Sequence, residues 1–222
     1  MKNLTFKIVL IAIISMSMIS CKNDKKEAAA TDAKETAKAS AIAERFVVDT
    51  AKSKVIWEGN KPLGSHKGTI SIAQGEFMIE NGTIKSGNFL IDMKSINVTD
   101  LEIGDGKEML ETHLMGTVAG KEGDFFNVNR HPTATFEITS VDEKDGKTMM
   151  SGNLKMLEKS NNITFPVTMK SNGSMMSVTS EEFEIDRTKW GINFGSKSIF
   201  DDLGDKFISD EMKITFAVNA KK

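Results

Sequence analysis

From Phe46 onward the chain alternates apolar and polar residues with a period of two. Val55 and Trp57 stand between polar neighbours, as do Phe77 and Ile79, and the same spacing runs through Ile70 and Ile72. Phe89, Ile91 and Met93 form a further set, followed by Phe136 and Ile138. Ile163, Phe165, Val167 and Met169 repeat the pattern, and so do Met212, Ile214, Phe216 and Val218. This alternation predicts strands with one buried face and one wet face. Asn81-Gly82, Asp145-Gly146 and Asn172-Gly173 lie between such sets, and these dipeptides accept the positive φ of tight hairpin turns. The expected fold is therefore all-β, an antiparallel barrel of about eight strands, because closure removes exposed sheet edges. Two details refine it. Met176 and Val178 share one phase while Phe183 and Ile185 share the other, which predicts a bulge near Ser180. Met109, Leu110, His113 and Leu114 recur at helical spacing, which predicts one short helix over Gly106–Met115.

The first 44 residues follow other rules. Lys2 and Lys7 precede an apolar run from Ile8 to Ile19, and the stretch closes on Ser20-Cys21. A positive start, a short apolar core and a small residue at the cut describe an export signal. The run is shorter than the roughly 20 residues that a spanning helix needs. Cys21 directly after a small residue resembles the lipobox of bacterial lipoproteins, with Met18 standing where leucine is usual. That resemblance implies residues 1–20 as signal peptide and Cys21 as an acylated N-terminus. The partner so implied is the membrane, and the compartment is the bacterial envelope. The absence of aspartate after the cysteine favours the outer membrane, on either its periplasmic or its surface face. Residues 21–44 are poor in large apolar side chains and read as a disordered tether leading to a domain over 45–222.

Charge narrows the partners. The chain carries 29 basic and 31 acidic residues. Loss of Lys2 and Lys7 with the signal leaves a net charge of −4. That mild acidity argues against nucleic acid, which needs clustered Lys and Arg to displace counterions. The single cysteine offers no disulfide, so a hydrophobic core must hold the domain. There is no Gly-x-Ser-x-Gly elbow, phosphate loop or catalytic cysteine, and catalysis is not expected. His66, His113 and His131 are the only histidines and are too dispersed for a short metal motif. Asp201, Asp202, Asp205, Asp210 and Glu211 read as a solvated acidic loop, with calcium as the alternative.

Several segments together resemble the YceI-like family. They are Trp57 with Leu63-Gly64-Ser65-His66-Lys67-Gly68, then Gly75-Glu76-Phe77, and His113-Leu114 followed by Asp124-Phe125-Phe126-Asn127-Val128. His131-Pro132-Thr133-Ala134-Thr135-Phe136, Phe165-Pro166-Val167 and Arg187-Thr188-Lys189-Trp190-Gly191-Ile192 continue the likeness through the second half. The turn over Leu157–Thr164 departs from the family's pattern and has a more polar tip. The resemblance implies a lipocalin-like barrel around an apolar tunnel that binds a polyisoprenoid, such as an isoprenoid quinone or polyprenyl phosphate. It also admits a homodimer.

The candidates for lining such a tunnel are Trp57, Ile70, Phe89, Ile91, Phe136, Ile138, Phe165, Met169, Phe183, Phe194 and Phe216. Alternation places them on one buried face, which fits a filled core as well as a hollow one. His66 and Lys67, beside Gly64 and Gly68, and Arg187, which precedes Trp190, are candidates for the ligand's polar head, since arginine suits phosphate. No cofactor is implied beyond a bound lipid. The alternative function is a filled barrel acting as a ligand-free interaction module of the envelope.

Overall fold

A computed structural model describes residues 27–222. The export signal and Cys21 lie outside the described residues. The strands are β1 (Thr31–Asp32), β2 (Glu44–Val48), β3 (Lys54–Lys61), β4 (Gly64–Glu80), β5 (Thr83–Val98) and β6 (Thr133–Lys144). Then follow β7 (Lys147–Met156), β8 (Lys159–Ser171), β9 (Met175–Ser180), β10 (Phe183–Asp186) and β11 (Glu211–Lys221). The one α-helix among the described residues, α1 (Lys107–Met115), falls where helical spacing predicts it.

All named pairs are antiparallel, and they close into a ring. β2 and β3 share one wall position, both pairing with β4 and β11. β9 and β10 share another alongside β11. β9 also pairs with β8, which completes the circuit through β7, β6, β5 and β4. That leaves eight wall positions, as expected. The Asn81-Gly82 and Asp145-Gly146 turns both have positive φ at their two central residues, the geometry that matches hairpin twist. The phase slip near Ser180 is also present. Thr179 faces Ala217 and Phe183 faces Ile214, so four steps on one strand oppose three on the other. The Ser180 hydroxyl fills the break by accepting from the Phe216 N–H at 2.8 Å.

The slip has a consequence for the wall. β8 pairs with β9 only over Val167–Ser171, and beyond the break β10 separates from β8. Residues 27–32 occupy that seam. Thr31 and Asp32 pair with Asn162 and Asn161 of β8, and Glu27 bridges in parallel to Glu184 of β10. The Ala28 N–H donates to the Glu184 carbonyl at 2.8 Å, and Ala28 is buried in the core. The segment then crosses the outside of the barrel. Lys34 docks on Asn153, Ala37 donates to the Ile138 carbonyl at 2.9 Å, and the Ser40 hydroxyl donates to Glu80 at 2.8 Å. Composition predicts a disordered tether here, yet residues 27–43 lie along the wall. The reason is that backbone pairing and small alanine side chains suit a narrow seam, and neither requires the large apolar residues whose absence signals disorder.

Asn153 makes the docking firm. Its Oδ1 accepts from the Lys34 N–H at 3.0 Å and its Nδ2 donates to the Lys34 carbonyl at 2.7 Å, imitating a strand ladder. Asn162, itself buried, donates to the same Oδ1 at 3.0 Å. Replacing Asn153 by Ala removes all three bonds from a buried position. The expected loss is about 2–3 kcal/mol in urea unfolding, with faster hydrogen exchange at the Lys34 amide. Unchanged exchange at Lys34 would show that the segment is held elsewhere.

Candidate ligand-binding site

The barrel interior is filled in one half and hollow in the other. A layer of aromatic rings divides it. Phe89 meets Phe77 at 4.9 Å and Phe216 at 5.2 Å between centroids, both edge-on. Phe136 stands 5.6 Å from Phe165 and 5.9 Å from Phe216, and Phe165 stacks on Phe183 at 4.2 Å. On one side of this layer Phe46, Ile72, Phe77, Ile138, Met150 and Val178 pack into solid core. On the other side is a cavity of about 320 Å³, within the usual size range of small-molecule pockets. Its floor is Phe136, Phe165, Phe183 and Phe216, and its walls include Ile70, Ile91, Met93, Ile163 and Ile185.

Eight of the predicted lining residues therefore meet the cavity: Trp57, Ile70, Ile91, Phe136, Phe165, Phe183, Phe194 and Phe216. Phe89, Ile138 and Met169 do not. Phe89 and Ile138 are buried in the aromatic layer and the filled half, with Phe89 held by rings on three sides. Met169 is only half-buried and packs against the filled core from the β8–β9 wall. All three share the inward phase but stand at the wrong height along the barrel.

The mouth is framed by the β3–β4 hairpin, the chain from Thr99 through α1, the 117–131 loop and the 191–209 loop. The helix presents Leu110, His113 and Leu114 to the cavity. His113 Nε2 pairs with Asp124 Oδ2 at 2.7 Å, and its ring stands edge-on to Phe125 and Phe194, each at 5.1 Å. Phe194 is 40% exposed, so this trio forms a rim open to solvent. Sequence spacing places His113 on the helix's apolar face without marking it as part of a site. Its alignment with Leu110 and Leu114 was the available signal.

The head-group candidates separate. His66 lines the cavity, with Nδ1 against Asp100 Oδ2 at 3.0 Å. Lys67 does not line it: its side chain is exposed on the outer face, while its backbone N–H donates to Asp100 Oδ1 at 3.1 Å. Arg187 borders the cavity but is 1% exposed and already engaged. Nε donates to the Ser209 carbonyl at 2.9 Å, Nη1 to Ile192 at 2.7 Å and Nη2 to Ile208 at 3.1 Å. Burial pulls its pKa down, and the charges of Asp210, Asp186 and Glu211 oppose that shift. Arg187 is thus the fastening of the 191–209 loop. Among the described residues no cluster of three or more His, Cys, Asp or Glu is arranged to hold a metal.

An antiparallel, eight-position barrel with a blind apolar pocket opening at one end is a lipocalin-like barrel. Within that class the chain belongs to the YceI-like family, whose domain profile matches residues 46–220. A UPF0312 protein of Pseudomonas aeruginosa is 33% identical over 85 residues, which spans 38% of this chain and 42% of that relative's length. BcnA of Burkholderia cenocepacia superposes with a TM-score of 0.60 at 26% identity, covering 78% of this chain and 99% of that one. A polyisoprenoid-binding domain from Saccharophagus degradans shares the fold with a TM-score of 0.54 at 12% identity, over 79% of this chain and 97% of that one.

Two predictions follow from these contacts. Arg187→Leu strands the carbonyls of Ile192, Ile208 and Ser209, and it should cost about 3 kcal/mol or more in urea unfolding. A loss below 1 kcal/mol would deny the fastening role. Asp100 is held below its ordinary value of 3.8: burial, the largest influence, raises it, but the Lys67 N–H and the His66 ring together lower it further. A depressed carboxylate pKa contributes stability above the unfolded value and loses it as pH falls through the folded value. Asp100→Asn should therefore flatten the acid limb of the stability profile below about pH 3.8. An acid limb identical to that of the parent would refute this coupling.

Proposed function

We propose that this protein is a lipid-anchored envelope protein that binds a polyisoprenoid or similar amphiphile, an isoprenoid quinone or a polyprenyl phosphate, for carriage, storage or shielding. The single observation that carries this reading is the hollow half of the barrel, walled by apolar side chains, closed below by the aromatic layer and open at one rim. Apolar cavities of this kind stay dry and receive apolar guests. Each CH₂ taken from water contributes about 0.8 kcal/mol, so a prenyl chain gains affinity with few polar contacts. The likeness of fold to a domain described as polyisoprenoid-binding supports the same choice of ligand. Binding needs only insertion of the chain, with no covalent step. Acylation at Cys21 would supply the attachment, since more than one acyl chain holds a protein stably to a membrane.

The interaction-module reading requires a filled interior, and the cavity speaks against it. The deciding measurement is native against denatured mass spectrometry of the full chain, with analysis of the organic extract. A stoichiometric mass excess carrying a prenyl-type lipid is expected. Ile91→Trp places a large ring in the pocket and should abolish that excess while leaving the unfolding midpoint nearly unchanged. A bare parent protein that also refuses added quinones and polyprenyl phosphates would overturn the proposal.

A further inference from the structure

The inner face of the β3–β4 hairpin changes character step by step from the floor of the barrel to its mouth. Val55 faces Ile70, Trp57 faces Gly68, Gly59 faces His66, and Lys61 faces Gly64. Val55, Trp57, Gly59, Lys61, His66 and Ile70 all line the cavity. The apolar pair lies deepest and the lysine outermost. Three features of this ladder call for an occupant.

The first is an unanswered donor. The Trp57 indole N–H is buried and has no hydrogen-bond partner among the described residues. The chain's other tryptophan, Trp190, donates from the same atom to the Leu154 carbonyl at 2.9 Å. A buried N–H left without an acceptor costs about 1–3 kcal/mol, and an acceptor brought by a ligand would recover it. The second is space. A side chain at Gly68 would strike the Trp57 ring at 2.6 Å, so the indole closes over that glycine. At Gly59, one step outward, a Cβ would meet nothing within 4 Å. The third is a braced imidazole. His66, directly across from Gly59, spends Nδ1 on Asp100 and leaves Nε2 uncommitted among the described residues.

Resting on the binding reading above, we propose that this glycine floor is the seat of the ligand's head, and that the head is a flat ring carrying acceptor oxygens, of quinone type. The ring lies over Gly59, one oxygen accepts from the Trp57 indole N–H, and His66 Nε2 faces it from β4. The prenyl chain then runs from the seat toward Phe136 and Phe165. A phosphate head fits less well. Arg187, the cavity's one guanidinium, has its fork turned to backbone carbonyls, and Trp57 supplies a single donor where phosphate prefers several. The lining lysines, Lys61 and Lys206, belong to the rim, outward of the Gly59 step.

The test uses the full chain with ¹⁵N-labelled tryptophan, whose two indole signals report on Trp57 and Trp190 separately. Three probes are titrated: menaquinone-4, undecaprenyl phosphate, and squalene as a chain without a head. Menaquinone-4 should move the Trp57 N–H signal strongly and leave Trp190 in place. Trp57→Phe keeps a ring and removes the donor, and should weaken menaquinone-4 by about fivefold. Gly59→Val fills the floor with a strand-favouring residue and should abolish menaquinone-4 binding. Squalene affinity should be unchanged in both variants. A parent that binds menaquinone-4 and squalene, with both variants binding menaquinone-4 equally well, overturns the seat and leaves the binding reading intact. Movement of the Trp57 signal by undecaprenyl phosphate and not by menaquinone-4 overturns the assigned head. A parent that binds none of the three overturns both readings together.

Discussion

Phe136 touches Phe89, Phe165 and Phe216, and those ring contacts decide where the barrel is solid and where it is empty. A barrel of eight positions has an interior that side chains can just fill. Here the large rings meet across the middle, and the branched and methionine side chains beyond them pack the lower half as buried core. Above the layer the inward positions carry residues that reach the wall but not one another. Gly152 makes the layer possible: a Cβ there would stand 2.2 Å from the Phe136 ring. Densely packed interiors do not deform smoothly, so the floor of the pocket is fixed by the same contacts that stabilise the fold.

Polarity is then distributed by height. The deep surface offers almost nothing but hydrocarbon and recognises by width and shape. Polar groups enter only near the rim, and most of them are already paired: His113 with Asp124, His66 with Asp100, Arg187 with three carbonyls. The pocket thus discriminates by what remains unpaired, which is a short inventory. Such a division lets one fold hold long, greasy molecules firmly while still telling their ends apart.

Much of this was legible in the sequence because a strand's period of two leaves a direct mark on residue order. Most strands of the wall, the bulge beside Ser180 and the inward phase of Phe136, Phe165 and Phe216 could be read that way, and helical spacing marked the helix over Lys107–Met115. What could not be read is position along the barrel axis. Phe89 and Phe136 carry the same alternation signal and face each other across β5 and β6, yet only Phe136 reaches the cavity. Height depends on stagger and on register shifts, such as those between Thr69 and Ser71 or Ile72 and Gln74, and these arise from pairing between distant segments. Arg187 misled for a related reason. Arginine suits phosphate and carbonyl alike, and which of them it meets is settled by the fold of the 191–209 loop. The seam segment escaped because its binding runs through backbone atoms, to which composition is blind.

That seam segment also gives the molecule a heading. Glu27, where the described chain begins, shares a cleft with Asn60, Glu184, Ser209 and Glu211, and Asn60 and Ser209 stand at the mouth end of the barrel. The described chain therefore begins beside the opening, and the belt from Thr31 to Ser40 is pinned around the wall. The belt thereby straps the open rim, at Glu184, to the solid end, at Glu80, across the outside of the wall.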